Sequence, residues 1–347
     1  MTSRSILGLI ALFPLSFLMF GQEDTDISLS GPISMVEPAP AAWVFQIDND
    51  SPAASDQDYS NGLLLRYISA RLPEHNAGDS ESGFIDQLFN RLPGLRDSTD
   101  RRWSLSLGHV IMTPEDLLAT EPPVDDRPYA GWLFSQFCLI NESSDSLRSW
   151  EFTLGIVGPT ALGEDLQHTI HTLIDDYDPQ GWDHQLDNEP GIGIAYRQIW
   201  SKRLLGSSDS FGMAFLPGYG VELGNVRTEV RISGELRLGW KMAHDFGTPS
   251  IPDGGGTMVP ATAESFSLTF FIAPEFHAVA QDLFVDGNTG KDNSPVTREP
   301  WRSTLKVGVR VGIHNWSFGY THVMETRSFK EQDKAHAYGS LTISRLF

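Results

Sequence analysis

Cysteine is nearly absent. Cys138 stands alone among 347 residues, so neither an internal disulfide nor a cysteine-rich zinc site can hold this chain together. Positive charge is scarce as well: 25 Lys and Arg against 45 Asp and Glu leave a formal net charge of −20, which opposes sequence-independent binding to a phosphate backbone. Beyond the first twenty residues no apolar run approaches the ~18 residues that a membrane helix needs. A helical membrane protein is thereby excluded, whereas a membrane β-barrel is not. The chain is still long enough to bury a large core in one domain or two.

Met1 to Phe20 carries one basic residue, Arg4, then an apolar run from Ile6 to Phe20, followed by Gly21 and the acidic pair Glu23-Asp24. This three-part form predicts a secretory signal over residues 1–21. The competing reading, an uncleaved anchor, needs a longer run, and with no cysteine after it a lipoprotein anchor is excluded. Residues 22–40 are polar and proline-rich and read as a flexible lead-in. The domain proper is expected over residues 41–347.

From Ala41 onward the prevailing period is two. Trp103, Leu105 and Leu107 alternate with Ser104, Ser106 and Gly108, and Trp150, Phe152, Leu154 and Ile156 interleave with Glu151, Thr153 and Gly155. Around Val230 to Trp240 the charges Glu229, Arg231, Glu235, Arg237 and Lys241 all take one parity and the large apolar residues take the other. Several runs reach the ~9–11 residues that a tilted strand needs to cross a bilayer, longer than the strands of a soluble periplasmic sandwich. Twelve strands are predicted, near 42–50, 60–71, 102–112, 131–141, 149–158, 191–201, 211–224, 228–241, 264–280, 302–314, 315–326 and 336–347. The fold class is therefore all-β: a twelve-stranded antiparallel transmembrane β-barrel of the bacterial outer membrane, with a short helix in a connecting loop. Trp43, Trp132, Trp200, Trp240, Trp301 and Trp316 near strand ends suit interfacial girdles, and the chain stops on the aromatic Phe347, although Arg345 interrupts the last apolar row.

Two segments break the alternation. Asp48-Asn49-Asp50-Ser51, with Asp56 and Asp58 close behind, gathers oxygen donors of the kind hard cations take, or else forms an acidic hairpin turn. It is no EF-hand loop, since Ala53 and Tyr59 occupy the positions where glycine and glutamate would be needed. Gly158 to Ile174 repeats Leu162, Leu166, Ile170 and Ile174 every fourth residue, which predicts a short amphipathic helix. Gln167 and His171, also four apart, share one face of it. There an imidazole could act as a base; alternatively His168 and His171 could bind a metal, or both could be surface residues.

These pieces together resemble the outer-membrane lipid A 3′-O-deacylases of the LpxR type. The resemblance rests on Asn49-Asp50, on Asp58-Tyr59-Ser60-Asn61-Gly62, and on Asp126-Arg127-Pro128-Tyr129-Ala130-Gly131-Trp132. It continues through Gly158-Pro159, Gln167, His171, Gly181-Trp182-Asp183, Gln185-Leu186 and Asn188-Glu189-Pro190. It implies a twelve-stranded barrel that acts, as a monomer, on lipid A of lipopolysaccharide in the outer leaflet and depends on Ca²⁺. It further implies that Asn49 and Asp50 belong to the Ca²⁺ site, that Ser60 is the hydroxyl residue of the pocket and that His171 is the catalytic base.

The residue types suit ester hydrolysis. Imidazole ionises near neutrality and can deprotonate water, and a hard cation supplies positive charge to a developing oxyanion. Gln167 would orient a bound group. Ser60 reads either as a nucleophile or as a hydrogen-bonding residue, and no G-x-S-x-G elbow surrounds it. Arg127 reads either as a ligand for a lipid A phosphate or as a brace against Asp125 or Asp126. The competing functions are a transport pore, an outer-membrane phospholipase and a non-catalytic barrel.

Overall fold

The computed structural model describes residues 40–50, 58–73, 83–95, 100–121, 123–174, 177–207, 209–255, 259–260 and 266–347. The expected signal peptide, nearly all of the expected lead-in, and Ala53 and Asp56 of the acidic turn lie outside them. The strands are β1 (Ala42–Asn49), β2 (Asp58–Ile68), β3 (Asp100–Thr113), β4 (Ala130–Glu142), β5 (Ser146–Val157), β6 (Glu189–Trp200), β7 (Lys202–Leu205), β8 (Phe211–Gly224), β9 (Arg227–Trp240), β10 (Phe266–Asp282), β11 (Trp301–Ile313), β12 (Trp316–Glu325) and β13 (His336–Leu346). Each pairs antiparallel with its neighbours, β1 meets β13, and β6 meets β8, so the sheet closes. β6 and β7 are one wall strand interrupted at Ser201, since both pair with β8. The wall is thus the expected closed barrel of twelve antiparallel strands. Among the described residues three α-helices interrupt the connections: α1 (Phe84–Arg91), α2 (Gly163–Ile174) and α3 (Leu283–Asp286). α2 is the helix that the four-residue repeat predicts.

Closure removes every sheet edge and lets the period-two pattern sort side chains between lipid and lumen. Leu105 and Leu107 are about half exposed while Ser104 and Ser106 between them are buried, the reverse of a water-soluble sheet. An even strand number brings both ends of the wall to one rim, where Ala42 pairs with Leu346. The end of β1, the start of β2, the end of β3, the start of β4 and the β5–β6 connection holding α2 lie at the opposite rim. Arg345, which interrupts the last apolar row, lies over the Trp316 ring at 5.1 Å, a cation–π contact suited to an interfacial girdle.

Side chains and the inward-folded β9–β10 connection occupy much of the lumen. Most of its buried arginines stand beside carboxylates, because an isolated charge there would lose its hydration without compensation. The β9–β10 connection folds inward and supplies many of the partners. Asp253 receives a hydrogen bond from Arg231 Nη1 at 2.5 Å and stands 3.5 and 3.8 Å from Arg197 and Arg227. Asp245 pairs with Arg237 at 2.6 Å and with Arg310, and the Gly255 carbonyl accepts from Arg66 Nη1 at 3.1 Å. Ile251 of the same segment is buried with Tyr59, Leu64, Val110 and Trp132. Trp132, expected in an interfacial girdle, is therefore an interior residue: its parity matches the buried Phe134 and Gln136 and not the lipid-facing row.

Candidate active site

Alternation decides which side of the wall each residue occupies. On β1, Trp43, Phe45 and Ile47 face outward and Val44, Gln46 and Asp48 are buried. Asn49 thus falls on the outer parity, and Asp50, just beyond the strand end, is 1% exposed. Asn49 pairs directly with Asn61, and Asn61 with Ile111, so these three share the outer face. On β3 the outward row of Leu105 and Leu107 continues through His109, Ile111 and Thr113.

Ser60 joins this face through an irregularity. The β2–β3 register runs from Tyr59↔Met112 to Asn61↔Ile111, leaving Ser60 as one extra residue, a β-bulge. Without it, Tyr59 and Asn61 would share a side. With it, Tyr59 enters the interior cluster and hydrogen-bonds Asp48 at 2.9 Å, while the Ser60 hydroxyl meets that of Thr113 on the outside. The Ser60 carbonyl accepts from Asn49 Nδ2 at 3.5 Å. All of this is buried or half-buried, although it lies on a parity that elsewhere faces lipid.

The cover includes α2. The first turn of the helix approaches β4 where both elements carry glycine: a Cβ on Gly131 would lie 3.0 Å from both N and Cα of Gly163. A side chain on either would push the helix away. His109 Nε2 bonds the Ala161 carbonyl at 2.7 Å just before the helix. Ile111, Tyr129 and Trp182 form a buried cluster flanked by Leu166, with the Tyr129 and Trp182 rings 4.9 Å apart. The buried row of α2 is not the expected leucine row. Leu162, just before the helix, is 55% exposed and Leu166 and Ile170 are half-buried, whereas Gly163, Gln167 and His171, spaced by four, are buried. Glycine permits the close approach, and that row then carries its polar groups to the wall.

The Gln167 Oε1 accepts from Trp182 Nε1 at 2.8 Å, which fixes the amide, and its Nε2 is a buried donor with no hydrogen-bond partner among the described residues. His171 is 6% exposed, and its Nδ1 bonds the Tyr177 carbonyl. A carbonyl only accepts, so Nδ1 carries the hydrogen and the basic lone pair of the neutral ring is on Nε2. His168 is exposed and bonded through Nδ1 to Asp178 at 2.7 Å, a contact that raises its pKa. The two imidazoles are thus committed to different partners.

The family model for "Outer membrane protein LpxR" matches residues 9–347. The chain belongs to the LpxR family. Among solved structures, LpxR from Salmonella typhimurium shares the fold at a TM-score of 0.70 with 17% identity, covering 88% of this chain and 100% of that one. The transport unit of the autotransporter AIDA-I from Escherichia coli (TM-score 0.35, 7% identity, 92% and 93% covered) and the translocator domain of the autotransporter NalP from Neisseria meningitidis (0.34, 7%, 90% and 90%) are far less similar. No curated protein matches. This LpxR-family protein is an outer-membrane barrel.

In this LpxR-family barrel, Asn49, Ser60 and Gln167 are held on or against the outer face of β1–β4, with Asp50 at the end of β1 and His171 on the buried row of α2. Arg127 does not brace Asp125 or Asp126. Its guanidinium reaches Asp58 at 3.2 Å, Ser328 and Met112, under the Phe329 ring at 5.4 Å. Asp126 instead accepts from the backbone N–H groups of Arg127 and Glu115 at 2.7 and 2.6 Å. Asp58, held by Arg127 and by Gln332 Nε2 at 2.7 Å, adopts φ 66° at the start of β2. Arg127 is built into the bulged strand start, which leaves little of its guanidinium for a lipid phosphate.

The donors suit a hard cation: Asn49 and Asp50 offer amide and carboxylate oxygens, and beside Asn49 the buried Asn61 Oδ1 has no hydrogen-bond partner among the described residues. Among the described residues the one compact acidic triad, Glu222, Glu229 and Asp253, lies in the lumen among arginines. Sequence reasoning passed over Asn61, Thr113 and Trp182 as site residues. Asn61 and Trp182 stood in matched motifs, but only strand register brings Asn61 beside Asn49 and Thr113 beside Ser60.

Proposed function

We propose that this protein hydrolyses the 3′-acyloxyacyl ester of lipid A in a Ca²⁺-dependent reaction with His171 as the general base. The observation that carries the reading is a polar cluster on the outer face of the barrel, partly covered by α2, on a parity that farther along β1, β2 and β3 carries large apolar side chains such as Phe45, Leu65 and Leu105. Burying polar groups there is costly unless something uses them. A substrate already lying in the outer leaflet would reach the cluster sideways, with its acyl chains still in lipid.

In this reading His171 Nε2 accepts a proton from water, and the water oxygen attacks the ester carbonyl carbon. The Gln167 Nε2 donor orients the water or the carbonyl, and Trp182 keeps that amide from rotating. As the tetrahedral intermediate collapses, the bond to the sugar oxygen breaks, and the alkoxide takes the proton back from His171. The products are a free acyloxyacyl acid and a lipid A with a free 3′-hydroxyl. Ca²⁺, held through Asn49 and Asp50, would supply positive charge to the oxyanion. Ser60, bonded to Thr113 and not to an imidazole, serves as a hydrogen-bonding residue and not as a nucleophile. Mass spectrometry of lipid A from cells expressing the protein or its His171→Gln variant tests the reading. Loss of one acyloxyacyl unit only with the unaltered protein is expected, and identical lipid A in both would refute it. Release of fatty acid from phospholipid instead would favour the phospholipase reading.

A further inference from the structure

The helix α1 lies at the rim opposite the candidate active site, in the β2–β3 connection, and it too is packed on the outside of the barrel. Phe89 and Leu95 are buried against Leu139, Trp103, Phe137 and Trp150. These wall residues have outward parity: Trp103 continues the row of Leu105 and Leu107, and Trp150 that of Leu154, all substantially exposed farther along their strands. Leu139 is fully buried on the lipid side of the wall because this segment covers it. Hydrogen bonds fasten the cover, from Trp150 Nε1 to the Pro93 carbonyl at 3.0 Å, from Asn141 Nδ2 to that of Leu95 at 3.2 Å and from Arg148 Nη1 to that of Gly94 at 3.2 Å.

At about 100° per residue, Phe84, Ile85, Leu88, Phe89 and Leu92 fall on one arc and Asp86 and Asn90 on the other side. The barrel takes only one edge of that arc. Phe89 is fully buried, Ile85, Leu88 and Leu92 are half-buried, and Phe84 at the far edge is 72% exposed. An eight-residue helix has little stability of its own, so its apolar face must be covered to persist.

We propose that α1 is an interfacial helix resting in the periplasmic phospholipid leaflet, its apolar arc divided between the barrel wall and the acyl chains. The occupant follows from continuity. The arc adjoins the lipid-facing rows of β3 and β5 through Phe89, Trp103 and Trp150, Arg101 lies over the Phe89 ring at 5.4 Å and bonds Asn90 Oδ1 at the polar edge of the helix, and that polar side then faces the periplasm. The helix would fix the depth of that rim in the leaflet and shield the β3–β5 wall where Trp103 and Trp150 end their rows.

The test uses the full-length barrel reconstituted alone in vesicles of phosphatidylethanolamine and phosphatidylglycerol, with an environment-sensitive fluorophore on Phe84→Cys or Asn90→Cys. The native Cys138, 1% exposed, serves as the unlabelled blank. Doxyl groups on the acyl chains should quench the label at position 84 at least ~3-fold more than at position 90, and aqueous iodide should show the opposite order. Equal quenching at the two positions, or iodide dominating at 84, would overturn the proposal. Heat modifiability on gels confirms folding, and Ile85→Cys reads the same arc should Phe84→Cys fail to fold. Because no second protein is present, quenching by lipid cannot be mistaken for docking of a periplasmic partner.

Discussion

Gly131→Ala tests whether the packing of α2 on the wall positions the reaction, since it touches neither His171 nor Gln167. The new Cβ would stand 3.0 Å from the N and Cα of Gly163 and 3.3 Å from the Ala161 Cβ. Carbon atoms in contact prefer about 3.5–4.0 Å, so one element must yield by about 0.5 Å. Two of the three atoms are backbone, which no rotamer change relieves, so the helix moves as a unit and carries Gln167 and His171 with it. A displacement of about 1 Å of a reacting group costs ~10²-fold, so half of that should cost ~10-fold in kcat/KM. The accompanying loss of stability, as for a small overpacking, should be about 1–2 kcal/mol, too little to unfold the barrel. Deacylation of purified lipopolysaccharide in detergent, followed by mass spectrometry, measures the rate, and heat modifiability on gels checks the fold. Gly319→Ala is the control, because its nearest atom, Thr342 Cβ, would be at an ordinary 3.7 Å. Full activity in Gly131→Ala would show that the Gly131–Gly163 approach does not set the geometry of the site.

His171→Gln should abolish deacylation by at least ~10²-fold with the barrel intact, while His168→Gln, exposed and turned about 100° away, should stay within ~3-fold; equal losses in the two would point to a shared role. Chelation by EDTA should remove activity and Asp50→Ala should lower it at least ~10²-fold; unchanged rates in chelator would take the cation out of the mechanism. Because the Asp178 carboxylate favours the imidazolium, His168 should titrate above the ordinary histidine value of 6.5 in NMR spectra, and Asp178→Asn should bring it down toward that value; no change on substitution would refute the pairing. Planar-bilayer recordings should show no open-pore conductance, and Asp253→Ala, which removes a carboxylate shared by Arg231, Arg197 and Arg227 while Glu151 and Glu275 stay beside Arg197 and Arg231, should destabilise the barrel by about 1–3 kcal/mol; a large steady conductance in the unaltered protein would contradict an occluded lumen.

The strands were legible along the chain because a bilayer on one side and a polar lumen on the other impose opposite chemistry on successive residues. Val230 to Trp240 shows this with its charges on one parity alone, and all twelve wall strands fall within a few residues of their expected ranges. The four-residue repeat announced α2 in the same way. Its buried face was not legible, because the leucines suggest a buried apolar row, whereas Gly131 and Gly163 let the helix lie so close that the Gly163, Gln167 and His171 row turns inward. Trp132 went astray because an aromatic near a strand end looks alike on either face until the register is known. That Asn49 stands on the lipid side of the wall beside Asn61, and that Ser60 joins them, depends on strand pairing and on a single extra residue in β2. Neither leaves a trace in periodicity, since a bulge is a relation between two strands. Composition and alternation determined that this chain is a closed membrane barrel. Only tertiary structure decided that its candidate site lies on the outside of the wall, because that placement follows from contacts between different elements, such as Ser60 with Thr113 and Gly131 with Gly163, which alternation within one strand does not encode.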